Sequence, residues 1–193
     1  MQPAAQILDN IQKHISVSAS EKKLIESLLV QQKVAKKEVL LEAGKVATDI
    51  HFVSQGVLRS YFTDLEGDQN IVMFAVNDWW ITDIFSFSTG NPAQLTIDAL
   101  EDAVVYSLSK ENLELLFLKM PTFERFFRIL MQNAYVREQS RIIQNLSMPA
   151  EERYRQFLKK YPQFAERITQ KQIASYLGIT PEFLSSLRKK PNS

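Results

Sequence analysis

The sequence predicts an α+β protein with an N-terminal antiparallel, jelly-roll-like β-roll flanked by helices, then a long helix and a C-terminal pair of short helices. Three observations support this fold class. Short β-branched or aromatic runs, separated by Gly, Asn and Asp, extend from about Lys33 to Ser109, as is typical of strands joined by turns. The later run "PTFERFFRILMQNAYVREQSRIIQNLS" has no glycine and no proline after its first residue. Finally, two capping patterns flank Gly178 near the C-terminus.

The first thirty residues are predicted to be helical. Ile7, Ile11 and Ile15 recur at the spacing of one helix face, and Ser18 with Glu21 matches a capping box before a second helix. The strands are expected in "KEVLLEAG", "DIHFVSQGVLRSYF", "NIVMFAV", "QLTIDAL" and "AVVYSLS". Such short strands with regular turns indicate a roll or barrel of about 75 residues.

Ser109 is predicted to cap a return to helix, and Pro121 stands at the start of the long helix. The apolar residues of this helix form one stripe with a second set beside it: Phe123, Phe127, Leu130, Ala134, Ile142 and Leu146, then Phe126, Ile129 and Tyr135. This surface is wider than a small roll could cover. We therefore expect residues 121–146 to pack partly on the roll and partly on a second copy, making a homodimer. A helix folded back entirely on its own domain is the alternative.

The chain is expected to divide into three parts. Residues 1–120 form the β-roll with its N-terminal helices, residues 121–148 the dimerisation helix, and residues 149–193 a C-terminal domain. The last boundary follows Ser147-Met148-Pro149, where the composition becomes basic.

Composition and charge restrict the function. No apolar run is long enough to span a bilayer, no secretory signal is recognisable, and the chain has no cysteine. These features predict a cytoplasmic protein without membrane contact, thiolate metal site or disulfide. Residues 149–193 hold nine Lys or Arg and four Glu, whereas the remainder holds fourteen Lys or Arg and eighteen acids. A basic end on an acidic body indicates polyanion binding by the C-terminal domain, although a solvated basic face is the alternative.

The segment "ITQKQIASYLGITPEFLSSLRKK" is the strongest motif. Thr169 and Gln172 match a capping box, Gly178 provides a left-handed turn, and Thr180-Pro181 provides the N-cap and first position of a second helix. Ile173, Leu177, Leu184 and Leu187 are predicted to face inward. Two helices around a short glycine-containing turn make a helix-turn-helix, whose second helix enters the major groove of DNA. Similar corners also occur in proteins that never bind DNA.

The order of roll, long helix and helix-turn-helix resembles the Crp/Fnr family of bacterial transcription regulators. "LLEAGKVATDIHFVSQGVLRSYF" is similar to the opening of that family's roll, and the helix-turn-helix segment is similar to its DNA-reading motif. Within that family the chain resembles the compact branch found in Bacteroidetes, whose members carry a "WW-I-G-D" segment and "LGITPE-LS-R-RK". The resemblance implies a winged-helix-like domain that lacks the wing, and it implies RNA polymerase as a possible partner.

The resemblance assigns DNA contacts to residues of the helix-turn-helix. Glu182 corresponds to a glutamate that accepts from a cytosine amino group, whereas Pro181 and Ser186 stand where better-known relatives have arginines. Phe183 either touches a thymine methyl group or only packs. The predicted contacts to double-stranded DNA are Thr169, Lys171, Thr180, Pro181, Glu182, Ser185, Ser186, Arg188, Lys189 and Lys190.

The same resemblance places "WWITDIFSFSTGNPAQLTID" on the family's phosphate-binding cassette. Thr82-Asp83 replaces the family's Gly-Glu pair, and Gln94-Leu95 falls near the place of its phosphate-binding arginine. Control by cyclic AMP is therefore not expected, because a buried phosphate would lack its cation. The predicted pocket for an unknown small-molecule effector comprises Trp80, Thr82, Asp83, Gln94 and Leu95. The alternative is that Trp79, Trp80, Ile81, Phe85 and Phe87 only fill the roll.

Two other classes of function stand as alternatives. A small-molecule or protein-binding β-roll with no specific DNA binding is the second hypothesis, because Ser186 replaces an arginine. An enzyme is the third, because the roll resembles cupins, whose metal sites need clustered histidines. The chain has only His14 and His51, and no nucleophile grouping stands out. We expect no catalytic residue, no metal site and no cofactor.

Overall fold

The computed structural model describes residues 4–162 and 164–189. The described elements follow in this order: α1 (Ala5–Gln12), α2 (Ala19–Leu28), β1 (Val30–Val34), β2 (Val39–Leu41), β3 (Asp49–Gln55), β4 (Leu58–Thr63), β5 (Gln69–Ala75), β6 (Trp79–Ile81), α3 (Ile84–Thr89), β7 (Thr96–Ala99), β8 (Ala103–Ser109), α4 (Lys110–Lys119), α5 (Thr122–Ser147), α6 (Ala150–Lys160), α7 (Phe164–Arg167), α8 (Gln170–Leu177) and α9 (Pro181–Lys189).

Two four-stranded sheets form the roll. Their strand orders are β1-β8-β3-β6 and β2-β7-β4-β5, and β8 runs antiparallel to both β1 and β3. Aliphatic and aromatic side chains of both sheets are buried, among them Ile50, Phe52, Leu58 and Ile97. The predicted α+β class with an antiparallel roll is confirmed, and six of the eight described strands lie in the five segments where the sequence predicts them.

Two strands were missed by sequence analysis. β1 (Val30–Val34) begins where the helical prediction ends, and its residues are mostly polar. It forms because it pairs over five residues with β8, from Val30 opposite Ser107 to Val34 opposite Ala103. The pair of tryptophans belongs to β6, which is hydrogen-bonded to β3. Both pairings join segments that are distant in sequence, and a local pattern cannot reveal such pairings.

The predicted helix caps are present. The Ser18 hydroxyl accepts the Glu21 N–H, and the Glu21 carboxylate accepts the Ser18 N–H at 2.7 Å, which completes the capping box of α2. The same carboxylate lies 2.6 Å from the Ser18 hydroxyl, and these bonds lower the pKa of Glu21. Ser109 caps α4 by accepting from the Asn112 N–H at 3.1 Å. These contacts satisfy amide groups that the first turn of a helix leaves unpaired.

The long helix α5 changes character along its length. Phe123 and Phe126 are fully buried, and Phe126 packs edge-on against Trp80 with ring centroids 6.0 Å apart. In the C-terminal half the large apolar residues are instead exposed in this chain, namely Tyr135, Val136, Ile142, Ile143 and Leu146. The start of α5 is buried, as predicted. The five apolar residues of its C-terminal half are not covered by the described residues.

The chain forms two compact units. The first contains the described residues up to Ser60 with Phe74–Asn133, and the second contains Tyr61–Met73 with the described residues from Ala134 onward. In the second unit, the Ser175 hydroxyl donates to Gln69 O at 2.7 Å and accepts from Ile71 N at 2.9 Å. The predicted boundaries at 120 and 148 follow sequence composition and stay a prediction. None of the described helices has the length and apolarity that a membrane span requires.

Gly56 sits between β3 and β4 in the left-handed region, with φ of +103°. A Cβ atom there would lie 2.5 Å from the Ala103 Cβ and 2.7 Å from its Cα. Such distances require the backbone at the start of β8 to move, so only glycine fits this position. Gly44 has a comparable φ of +90° but open space around it.

Replacing Gly56 with alanine should destabilise the protein by about 3 kcal/mol, because backbone strain adds to a steric clash. Gly44→Ala carries the strain alone and should cost about 1 kcal/mol. Chemical denaturation measures the free energy of unfolding of both variants. Equal losses in the two variants would contradict the steric role of Gly56.

Candidate nucleic-acid interface and effector pocket

The first helix of the predicted helix-turn-helix is α8. The Thr169 hydroxyl accepts the Gln172 N–H at 3.3 Å, and the Gln172 side-chain oxygen accepts the Thr169 N–H at 2.8 Å. Gly178 ends the helix with φ of +64°, and Ile179 N donates to Ala174 O at 3.0 Å. The capping box and the left-handed turn therefore lie where the sequence predicts them.

The second helix, α9, starts directly after this turn. The Thr180 hydroxyl accepts the Phe183 N–H at 3.2 Å, as an N-cap does. Leu184 and Leu187 are buried, as are their predicted counterparts on α8, Ile173 and Leu177. These apolar residues hold the two helices together and leave the opposite side of α9 facing solvent.

The predicted DNA contacts lie mostly on the solvent-facing side of the motif. Ser185 is half-buried, Lys189 ends α9, and Lys190 lies outside the described residues. Ser186 is exposed, yet its hydroxyl donates to Phe183 O at 2.7 Å. Phe183 is 48% exposed, so it does not serve the core alone. The remaining predicted contacts are exposed: Thr169, Lys171, Thr180, Pro181, Glu182 and Arg188.

Asp83 is the central residue of the cassette segment, and it is only 2% exposed. One carboxylate oxygen accepts the Ser86 N–H at 3.0 Å and so caps α3. The other accepts the N–H groups of Gln94 and Leu95 at 2.8 and 2.9 Å. The carboxylate thus accepts from backbone N–H groups at the N-terminus of α3 and in the following loop. Such a set of donors is suited to binding an anion.

The other polar groups predicted for the effector pocket also have partners within the chain. The Thr82 hydroxyl donates to Asp49 O at 2.8 Å, and the Trp80 indole N–H donates to the Asn10 side-chain oxygen at 3.0 Å. Gln94 is exposed and contributes its backbone N–H. The effector pocket stays a prediction, and its geometry shows polar groups already satisfied by the protein.

The apolar residues of this segment divide into a buried and an exposed group. Trp80, Ile81 and Phe87 are buried, and the Trp80 ring packs edge-on against Phe52 at 5.2 Å. Phe85 is 42% exposed, so the idea that it fills the roll is wrong. It lies on α3 one position after Ile84, which is also exposed, because a six-residue helix can bury only one side.

The two histidines have no common site. His51 is buried, its Nδ1 lies 2.8 Å from the Ser107 hydroxyl, and burial lowers its pKa although Asp49 opposes the shift. The His14 ring packs near Phe126. Within the described residues, no group of three or more potential metal-ligating side chains occurs.

A buried ion pair escaped sequence analysis. Arg59 on β4 donates through Nε and Nη2 to the two carboxylate oxygens of Asp98 on β7, at 2.7 and 2.9 Å. The side chains are 12% and 11% exposed. The two parallel hydrogen bonds link neighbouring strands of one sheet. The pair was not predicted because 39 residues separate its partners and neither residue belongs to a local motif.

Residues 31–120 match the family described as "Cyclic nucleotide-binding domain". A fumarate and nitrate reduction regulatory protein of Vibrio cholerae is 27% identical, with 89% of this chain and 73% of that protein covered. An anaerobic regulatory protein of Aggregatibacter actinomycetemcomitans is 28% identical over 80% of this chain. The chain spans 63% of that second relative's length, which is less than two thirds.

Solved structures share the fold. FixK2 from Bradyrhizobium japonicum aligns with a TM-score of 0.74 at 19% identity, covering 83% of this chain and 82% of that one. A Eubacterium rectale protein assigned to the crp/fnr family of transcriptional regulators aligns with a TM-score of 0.70 at 19% identity, covering 89% and 82%. The roll, the long helix and the capped helix-turn-helix agree with these matches, and the chain is similar to regulators of the Crp/Fnr family.

Proposed function

We propose that this regulator binds a specific, pseudo-palindromic site in double-stranded DNA as a homodimer. The capped helix-turn-helix carries the proposal, because its packing exposes the first turn of α9, including Pro181 and Glu182. The N-terminal residues of a second helix contact base edges in the major groove. The two copies of α9 would then read half-sites about one helical turn apart.

The second half of α5 is the proposed dimer contact. Ile142, Ile143 and Leu146 are each more than half exposed, which is unfavourable for a lone helix in water. Ile142 and Leu146 are four residues apart, so they share a helix face. A second copy of the same face would bury this surface in a symmetric contact. The predicted interface over 121–146 is therefore narrowed to the residues from Tyr135 onward.

Control by cyclic AMP is not part of the proposal. The Asp83 carboxylate already occupies the N–H groups of Ser86, Gln94 and Leu95. A cyclic phosphate at the same place would meet a buried negative charge, and like charges in a low-dielectric site repel strongly. An unknown effector of the roll, contact with RNA polymerase, a cytoplasmic location and the absence of catalysis stay predictions.

Glu182→Ala should weaken binding to a selected genomic site about ten- to a hundredfold, because one base contact is lost. Binding to random DNA should stay equal or increase, since a negative charge near phosphates is removed. Fluorescence anisotropy at two salt concentrations measures both affinities. Glu166→Ala, an exposed acid on α7, is the matched control. If the protein bound no genomic fragment better than random DNA, the result would contradict specific DNA binding. It would favour the alternative function, a β-roll that binds a small molecule or a protein.

The double variant Ile142→Asp with Leu146→Asp should dissociate the dimer, because charges would replace apolar side chains at its centre. Light scattering after size-exclusion chromatography measures the molar mass. Leu118→Asp changes another exposed apolar residue, on α4, and should leave the dimer intact. Dimers in the double variant, or monomers of Leu118→Asp, would rule out this interface.

Asp83→Ala should destabilise the protein by about 3 kcal/mol or more, since three amide groups lose their acceptor. Acetate should restore part of the melting temperature in the variant and leave the native protein unaffected.

Calorimetric titration of cyclic AMP into the native protein should give no binding heat. Tight cyclic AMP binding by the native protein would show that Asp83 does not close the site.

A further inference from the structure

The second compact unit contains a cavity of about 610 Å³. Its walls come from the C-terminal half of α5, from α6 and from the end of α8. We call it the basic cavity, after the six cationic side chains that line it: Arg137, Arg141, Arg153, Arg155, Lys159 and Lys160.

Positive charge exceeds negative charge around the basic cavity. Arg155 pairs with Glu152 at 2.8 Å and with Glu151 at 3.6 Å, and Arg141 pairs with Glu138 at 3.1 Å. Arg137 also lies 3.5 Å from Glu138, so three carboxylates pair with three of the six cations. Among the described residues, no carboxylate lies within 4.0 Å of the Lys159 or Lys160 ammonium group. The excess favours an anion in the cavity.

Arg153 adds an unused donor. Its Nη1 donates to the backbone and side-chain oxygens of Asn145 at 3.0 and 3.2 Å, which holds the guanidinium against the end of α5. Its Nε is buried and has no hydrogen-bond partner in the described part of the chain. A buried N–H without a partner is costly, so a shift of the Arg153 side chain that lets a bound anion accept from Nε would be favourable.

One wall of the basic cavity is aromatic. The Arg141 guanidinium lies over the Tyr176 ring, 5.3 Å from its centroid, and Phe157 packs against the same tyrosine at 5.5 Å. Burial raises the pKa of Tyr176 well above its usual range, so the phenol stays neutral. Arg141 is therefore held in place by stacking as well as by its ion pair.

We propose that the basic cavity binds a small molecule carrying two or more phosphate or carboxylate groups. The volume lies within the range of small-molecule sites, about 300–1,000 Å³. A DNA backbone fits less well, because a duplex presents its phosphates on a convex surface. The ligand would contact α5, α6 and α8 together, and α8 is the first helix of the helix-turn-helix.

Calorimetric titration of the full chain with inorganic pyrophosphate and with citrate, at constant ionic strength, tests the proposal. At least one probe should bind with one site per chain. The double variant Lys159→Gln with Lys160→Gln should weaken that binding at least about tenfold, because two charge-assisted contacts are lost. Lys36→Gln with Lys37→Gln removes the same charge from another exposed lysine pair and should leave the affinity unchanged.

Binding of pyrophosphate alone would identify a phosphate ligand, binding of citrate alone a carboxylate ligand, and binding of both a general polyanion site. Each of these results supports the proposal when only the Lys159 and Lys160 variant is weakened. Absence of binding by both probes at millimolar concentration would overturn it, as would equal weakening in the two double variants. The titration contains no DNA, so its outcome is independent of the proposed DNA binding.

Discussion

The position of the cassette segment depends on one buried carboxylate. Asp83 joins the start of α3 to the loop at Gln94 and Leu95 through three backbone N–H groups. An ionised acid is stable in such a buried place only when several donors surround it. This segment is therefore organised by an acid of the chain itself.

Under both proposals, external anions bind in the second compact unit. The exposed start of α9 is suited to the base edges and phosphates of DNA. The basic cavity beside α8 has the size and charge for a smaller anion. Both sites lie in the second compact unit. A regulator built in this way would receive chemical signals close to the helices that read DNA.

Features with local causes were predictable from the sequence. The capping boxes at Ser18 and Thr169 and the turn at Gly178 each depend on residues within a few positions, so their patterns are visible in the chain itself. The strand β1 and the ion pair of Arg59 with Asp98 depend on partners dozens of residues away. The bonds of Asp83 to the backbone N–H groups of Gln94 and Leu95 carry no side-chain signature, so the sequence does not reveal them.

The contact between Ser175 on α8 and the hairpin formed by β4 and β5 affects the order in which the protein folds. Ile71 and Ser175 are 104 residues apart, so the hairpin leaves the ribosome long before α8, which it contacts. Closing so long a loop is slow compared with forming local turns and helices. The second unit thus reaches its final arrangement only after α8 has been synthesised. In the nascent chain, the β4–β5 hairpin is made before the helix that it contacts.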